Sequence, residues 1–159
     1  MAYTIREANL WDIDRVYELF SEVDSMHLDA LPHVFQMPPD STPIKEYYRT
    51  ALADKNARIY VCETTECLVA AILAFLREPS DVPLFIPQPT ITISNLIVEE
   101  PHRQAGIGRD LVMQVHKWAL ELNVQQIELT VWHFNQNAKD FYTYLGYEPL
   151  HQRMAIRLT

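Results

Sequence analysis

ITISNLIVEEPHRQAGIGRD, residues 91–110, decides how the rest of the chain is read. The apolar run through Val98 predicts a strand over 90–98, and polar Ser94 and Asn95 interrupt the alternation that Ile91 and Ile93 begin. EEPH makes a tight loop, and the periodic apolar positions from Ile107 onward predict a helix. A glycine-bearing loop between a strand and a helix is a good anion cradle. Its amides point outward, the helix dipole adds partial positive charge, and missing Cβ atoms let a phosphate approach the backbone. Arg103 and Arg109 flank the loop and can add charge-assisted contacts. A dinucleotide fingerprint would need a third glycine where Leu111 stands. A mononucleotide loop would need Lys and Ser/Thr where Arg109 and Asp110 stand.

On the carboxy-terminal side, Ile107, Leu111, Val115, Trp118, Ala119 and Leu122 share one helix face, and Asn123 suits a left-handed helix end. Ile127, Leu129 and Val131 alternate within a strand over 124–132. Asn135 or Asn137 caps a helix carrying Ala138, Phe141, Tyr142 and Leu145, which Gly146 ends. Alternating Met154, Ile156 and Leu158 predict a closing strand. On the other side, residues 3–8 read as a strand, and Asp12 caps a helix with Val16, Leu19 and Phe20 on its apolar face. Four prolines between 32 and 43 break that pattern before a second helix through IKEYYRTALAD. Residues 57–63 and 67–76 form a hairpin, and a second proline cluster, 79–89, is a loop. The element order β-α-α-β-β-β-α-β-α-β gives an α+β domain with a mixed, mostly antiparallel sheet.

Composition narrows the function classes. The chain has 159 residues, the size of one domain. With 13 Lys+Arg against 21 Asp+Glu its formal charge is −8, which disfavours nucleic acid and anionic membrane as partners and favours a cationic acceptor. No stretch reaches the roughly 20 apolar residues of a membrane span, and the amino terminus lacks a signal-peptide pattern, so a cytoplasmic protein is expected. Cys62 and Cys67 read as two unpaired thiols on opposite faces, with no metal-type companions. An average chain of this length would hold about 11 glycines; this one has three, Gly106, Gly108 and Gly146, all in its last third.

Segment 96–108 resembles the acetyl-CoA signature of the GNAT superfamily of N-acetyltransferases, Gln/Arg-x-x-Gly-x-Gly/Ala after an apolar strand end. Arg103, Gly106 and Gly108 fill the signature, and Leu96, Ile97 and Val98 fill the strand end. WHFNQNAKDFYTYLGY then matches the family's Asn-x-x-Ala and Tyr-x-x-x-Gly-Phe/Tyr helix at Asn135, Ala138, Tyr142, Gly146 and Tyr147. The resemblance is tight over roughly 90–148; over 1–89 it rests on element order. It implies one domain over 1–159, its sheet of about six to seven strands flanked by about four helices.

The resemblance also implies roles. The donor is acetyl-CoA as co-substrate, and no metal is needed. Backbone groups of Leu96, Ile97 and Val98 pair with the pantetheine arm beside a β-bulge. Amides of Gln104, Ala105, Gly106, Ile107, Gly108 and Arg109, with Arg103, hold the pyrophosphate. Asn135 touches the cofactor or only caps its helix, and Tyr142 is the acid beside the thioester sulfur or a core tyrosine. The acceptor is a primary amine of a small molecule or peptide, with room for a homodimer. Glu99, Glu100, Glu128 and His133 are candidates for a general base, while Thr92 and Ser94 stand where some members carry Glu or His. His27, Asp29 and His33, in the proline-rich loop, are candidates for an acceptor pocket shaped by the first 45 residues and by 148–153. A non-catalytic acyl-CoA-binding regulatory or scaffolding module is the alternative.

Overall fold

The computed structural model describes residues 2–158. Its sheet runs β1 (Thr4–Glu7), β2 (Ala57–Glu63), β3 (Leu68–Arg77), β4 (Thr90–Val98) and β5 (Ile127–Leu129) in that spatial order. The first four strands pair antiparallel, and β5 runs parallel to β4. Helices α1 (Ile13–Ala30) and α2 (Thr42–Ala53) precede β2; α3 (Ile107–Glu121) and α4 (Gln136–Tyr144) flank β5. The result is a single α+β domain.

Both faces of the sheet carry a core, which explains why β3 reads as an unbroken apolar run. Leu68, Ala71, Leu73 and Phe75 pack with Ile13, Val16, Leu19 and Phe20 of α1 and Tyr48 of α2. Ala70, Ile72 and Ala74 pack with Leu111, Val112, Val115 and Trp118 of α3. A sheet has a period of two, so one extra residue exchanges the faces of everything beyond it. That happens in β4, where Asn95 pairs with Leu73 and Ile93 with Ala74, leaving Ser94 as the extra residue. Before the bulge Ile91 and Ile93 face α3; beyond it Leu96 and Val98 do, and Ile97 turns to α1. The polar break in the alternation is this bulge.

Several expectations change. Five strands rather than six or seven are present among the described residues. Residues 148–158 form no strand, and β5 has three residues instead of nine, because its ladder with β4 ends where β4 bulges. Asp12 does not cap α1 with its side chain. It closes a capping box with Asn9 around a 3-10 turn at Leu10–Asp12, and its carboxylate takes two bonds from Arg6, at 2.8 and 3.1 Å. Helix α1 continues to Ala30, so His27 and Asp29 are helical rather than part of the proline-rich loop. Asn123 and Gly146 do have positive φ, 56° and 90°. Both cysteines are free, Cys62 buried and Cys67 exposed. No helix among the described residues is long and apolar enough to cross a membrane.

Candidate functional site

The β4–β5 ladder ends at Ile93–Leu129, one residue before the bulge. Beyond it Leu96, Ile97 and Val98 still pair with Ile72, Ala71 and Ala70 of β3, but no described strand takes their other edge. Leu96 and Val98 are half-buried and Ile97 is buried. From this point the main chain of β4 has no described strand partner on its β5 side.

The chain leaves β4 through a 3-10 turn at Glu100–His102 and returns into α3. Gln104, at φ 62°, and Gly106, at φ 86°, are both left-handed, so the loop doubles back sharply before the helix. Gly106 is the N-cap of α3, and the first described backbone bond across the helix start runs from the Asp110 amide to the Gly106 carbonyl at 3.0 Å. The amides of Ile107, Gly108 and Arg109 precede it and have no partner one turn back, which is what an anion needs. Ile107 anchors the turn in the core at 1% exposure, while Gln104 and Ala105 are exposed. A Cβ at Gly108 would sit 3.4 Å from Phe141 Cζ and 3.6 Å from Val98 Cγ2. A side chain at position 108 would therefore rest at ordinary contact distance from α4 and β4.

The two arginines, expected to add charge-assisted contacts beside the loop, both bond within the chain. Arg103 folds back and donates from Nε to the Val98 carbonyl at 2.8 Å. Arg109 donates from Nε to Asp110 Oδ1 at 3.0 Å, and Tyr3 donates to Oδ2 of the same carboxylate at 2.7 Å. The Tyr3 hydroxyl, more than Arg109, holds the Asp110 carboxyl below the usual carboxylate range. Beside the loop, Nδ1 of His102 is buried without a hydrogen-bond partner.

Asn135 caps α4 by accepting from the Ala138 amide at 3.0 Å. Tyr142 is half-buried on α4, with its ring edge-on to Phe141 at 5.1 Å and to Tyr147 at 5.5 Å. Burial pushes its phenol up, and Tyr147 adds to the shift, so Tyr142 stays protonated throughout neutral pH. Tyr147 Oη lies 2.8 Å from His116 Nε2, a contact that sequence reading missed and that no local spacing announces.

The base candidates scatter. Glu99 is held by Arg15 Nη2 from α1, a pairing across 84 positions. Glu128 accepts from Gln126 at 2.6 Å; Glu100 and His133 are exposed. Thr92, in register with Glu128, and Ser94 present only hydroxyls.

An open cleft of about 870 Å³ lies between the second half of α1 (Glu22, Ser25, Met26, Asp29, Ala30) and the start of α4 (Phe134, Asn135, Gln136, Asn137). A smaller cavity of about 260 Å³ is lined by Asp24, Phe35 and Met37 among others. His27 belongs to an aromatic group with Phe35, stacked at 5.2 Å, and with Trp132 and Phe134 at 6.2 and 5.8 Å. Burial lowers the His27 pKa, with Asp24 opposing, and burial raises that of Asp24. Asp24 makes no described salt bridge. His33 and residues 148–153 line neither space, so of the two segments expected here only the first contributes.

A profile of the Acetyltransferase (GNAT) family matches residues 13–147. Over 125 residues the chain is 30% identical to L-ornithine N5-acetyltransferase NATA1 of Arabidopsis thaliana. That match covers 76% of this chain and 53% of the other, so the chain spans about half the length of this curated relative. A tetramutant of the BH1408 protein from Bacillus halodurans superposes with a TM-score of 0.89 at 28% identity, covering 98% of this chain and 99% of that one. AAC(6')-Iy, solved with the bisubstrate analog CoA-S-monomethyl-acetylneamine, superposes at 0.79 over 100% of this chain and 99% of its own. Its 14% identity makes that a likeness of fold.

Proposed function

The chain belongs to the acetyltransferase (GNAT) family, and from that premise we propose that it moves the acetyl group of acetyl-CoA to a primary amine. The observation that carries the reading is the end of the β4–β5 ladder beside a helix start whose first amides are unpaired. The unpaired edge at Leu96, Ile97 and Val98 suits the amide-bearing pantetheine arm, and the amides of 104–109 suit the pyrophosphate. Arg103 and Arg109 contribute charge there once they turn from Val98 and Asp110. Asn135 sits where it can touch the cofactor while capping α4.

Acetyl-CoA supplies an activated thioester, and the chain's own groups do the rest. A backbone amide freed by the bulge donates to the carbonyl oxygen as negative charge develops on it, an effect worth about 3 kcal/mol elsewhere. Tyr142, kept protonated, donates from Oη towards the departing sulfur. The amine enters from the cleft between α1 and α4, where Glu22 and Asp29 offer carboxylates without a described cation partner and Phe134 supplies an aromatic wall. With Glu99 held by Arg15, the amine loses its proton through water or reaches the site already neutral. Two free thiols suit a reducing cytoplasm.

Thiol release from acetyl-CoA, measured across amino acids such as ornithine, diamines, aminoglycosides and short peptides, tests the proposal. Turnover with at least one amine class is expected. Binding of acetyl-CoA without turnover on any amine would make the chain a non-catalytic acyl-CoA-binding module, and absence of binding would overturn both readings.

A further inference from the structure

The start of α3 carries a charge that works against an anion bound there. Asp110 is the acidic residue of the helix's first turn, beside the amides of Ile107, Gly108 and Arg109. A carboxylate in that place satisfies the positive end of the helix itself and repels a second anion brought to it.

Both oxygens of this carboxylate are engaged. Arg109 reaches Oδ1 from Nε and from Nη2, each at 3.0 Å, and Tyr3, 107 positions away, donates to Oδ2 at 2.7 Å. Tyr3 therefore fixes the carboxylate, and the carboxylate fixes the guanidinium. The place where the guanidinium is held matters. Arg109 Nη2 and Cζ lie 3.5 and 3.9 Å from the point where a Cβ on Gly106 would stand. A phosphate approaching the loop needs the face that this glycine leaves clear, and in the free chain Arg109 covers it.

Arg103 provides the contrast. Glu99 gives its amide to the Val69 carbonyl of β3 at 2.9 Å. By the alternation of an antiparallel ladder, the Val98 carbonyl then points to the opposite edge, where Arg103 Nε meets it at 2.8 Å. That partner is neutral, so an N–H of a ligand can replace Arg103 without separating charge. Arg109 reaches a phosphate only by leaving an anion, which stays behind in the same turn of helix. The Arg109 and Asp110 side chains are 56% and 34% exposed, so the pair is weak enough to exchange.

We propose that Asp110 is a positioning residue that limits how tightly the chain holds its cofactor: pinned by Tyr3, it competes with the pyrophosphate of CoA for Arg109 and so speeds release of CoA. The inference rests on the proposed reading that the amides of 104–109 hold the pyrophosphate. It adds that affinity at this site is set by a carboxylate of the chain as well as by the loop.

Calorimetry with CoA, which needs no acceptor, tests it. Asp110→Asn should bind CoA about 3- to 30-fold more tightly than the wild type, the range for removing one charge about 8 Å from a phosphate between water-like and protein-surface screening. Stopped-flow displacement should show correspondingly slower release. Asp110→Ser should agree with it, and thermal melts of both variants separate a folding defect from an effect on binding. Arg109→Ala should weaken binding, and in that background Asp110→Asn should gain less, because there is no guanidinium left to compete for. CoA affinity equal to or below that of the wild type in both Asp110 variants, with cooperative melts, overturns the inference and leaves the proposed site standing. An undiminished gain in the Arg109→Ala background means that the carboxylate acts by repulsion alone, and the competition is wrong. Failure of the wild type to bind CoA removes the site and the inference together.

Discussion

Gly106→Ala tests the loop most sharply, because conformation and space can be separated there. A Cβ at Gly106 would meet nothing closer than Arg109 Nη2 at 3.5 Å, an ordinary contact. Crowding within the free protein therefore costs little. The φ of 86° is another matter: a residue with a Cβ pays roughly 1–2 kcal/mol in the left-handed region. For a domain of this size each kcal/mol moves the melting temperature by about 2–4 °C, so Gly106→Ala should melt about 2–8 °C lower. Gly106→Asn should recover part of that, since asparagine tolerates the region better.

Gly108→Ala is the contrast. Position 108 lies in the helix, without a positive φ, and its Cβ would rest 3.4 Å from Phe141. A helical alanine gains up to about 1 kcal/mol over glycine, so its melt should hold or rise. Binding separates the two again. Relief of strain at 106 re-aims the amides of 107–109, and a loss of 1.4 kcal/mol is tenfold in affinity. Calorimetry with acetyl-CoA should show Gly106→Ala weakened about tenfold or more. A Gly106→Ala protein that melts with the wild type and binds acetyl-CoA equally well would refute the reasoning for this loop.

Four other outcomes are expected. Tyr142→Phe should cut kcat by about 10²–10⁴-fold with little change in acetyl-CoA affinity, and equal kcat under chemistry-limited conditions would assign the acid elsewhere. Asp12, held below the usual carboxylate range chiefly by Arg6, stabilises the fold above its unfolded pKa of about 4 and loses that contribution as pH falls through its lower folded value. Asp12→Asn should therefore cost on the order of 2 kcal/mol near neutrality by chemical denaturation, and the gap to wild type should close in acid. At saturating acetyl-CoA, the KM of a cationic acceptor should rise with salt, since screening acts over about 8 Å at physiological ionic strength; a salt-independent KM would leave the chain's acidity to solubility alone. His27, its pKa lowered by burial, is neutral above its usual value and gains a proton only below it, so an acid limb in kcat/KM below about pH 6.5 should disappear in His27→Gln.

Local chemistry was legible wherever the cause was local. The bounds of β4 and the start of α3 follow from alternation and glycine placement within a few residues of each other, and the bulge, which the resemblance implies, falls at the polar break of Ser94 and Asn95. Asn123 and Gly146 announce left-handed turns by residue type alone. What sequence did not disclose joins distant positions. Arg15 on Glu99 and Tyr3 on Asp110 span 84 and 107 positions, and both alter the charges available at the expected site. The aromatic group of His27, Phe35, Trp132 and Phe134 draws on a helix, a loop and the approach to α4, so no window of sequence contains it. The closing strand is a different case: alternation shows that a segment can pair, and residues 148–158 pair with no described strand although the outer edge of β5 is open.

A single residue links the candidate site to that open edge. A β-bulge bends its strand and sharpens its twist. Ser94 is the extra residue, and the β4–β5 ladder ends immediately before it. The ladder to β5 stops there, so Leu96, Ile97 and Val98 have no described strand partner on that side, while the exchange of faces brings Leu96 and Val98 under α3, Val98 next to Gly108. Released from β4 after Leu129, the chain reaches α4 without further pairing, so β5 stays at three residues and its helix covers little. The cradle and the unfilled side of the sheet are therefore two consequences of the same insertion. Were Ser94 paired in a regular ladder instead, continuous alternation would turn Asn95 towards α3 and Leu96 and Val98 away from it.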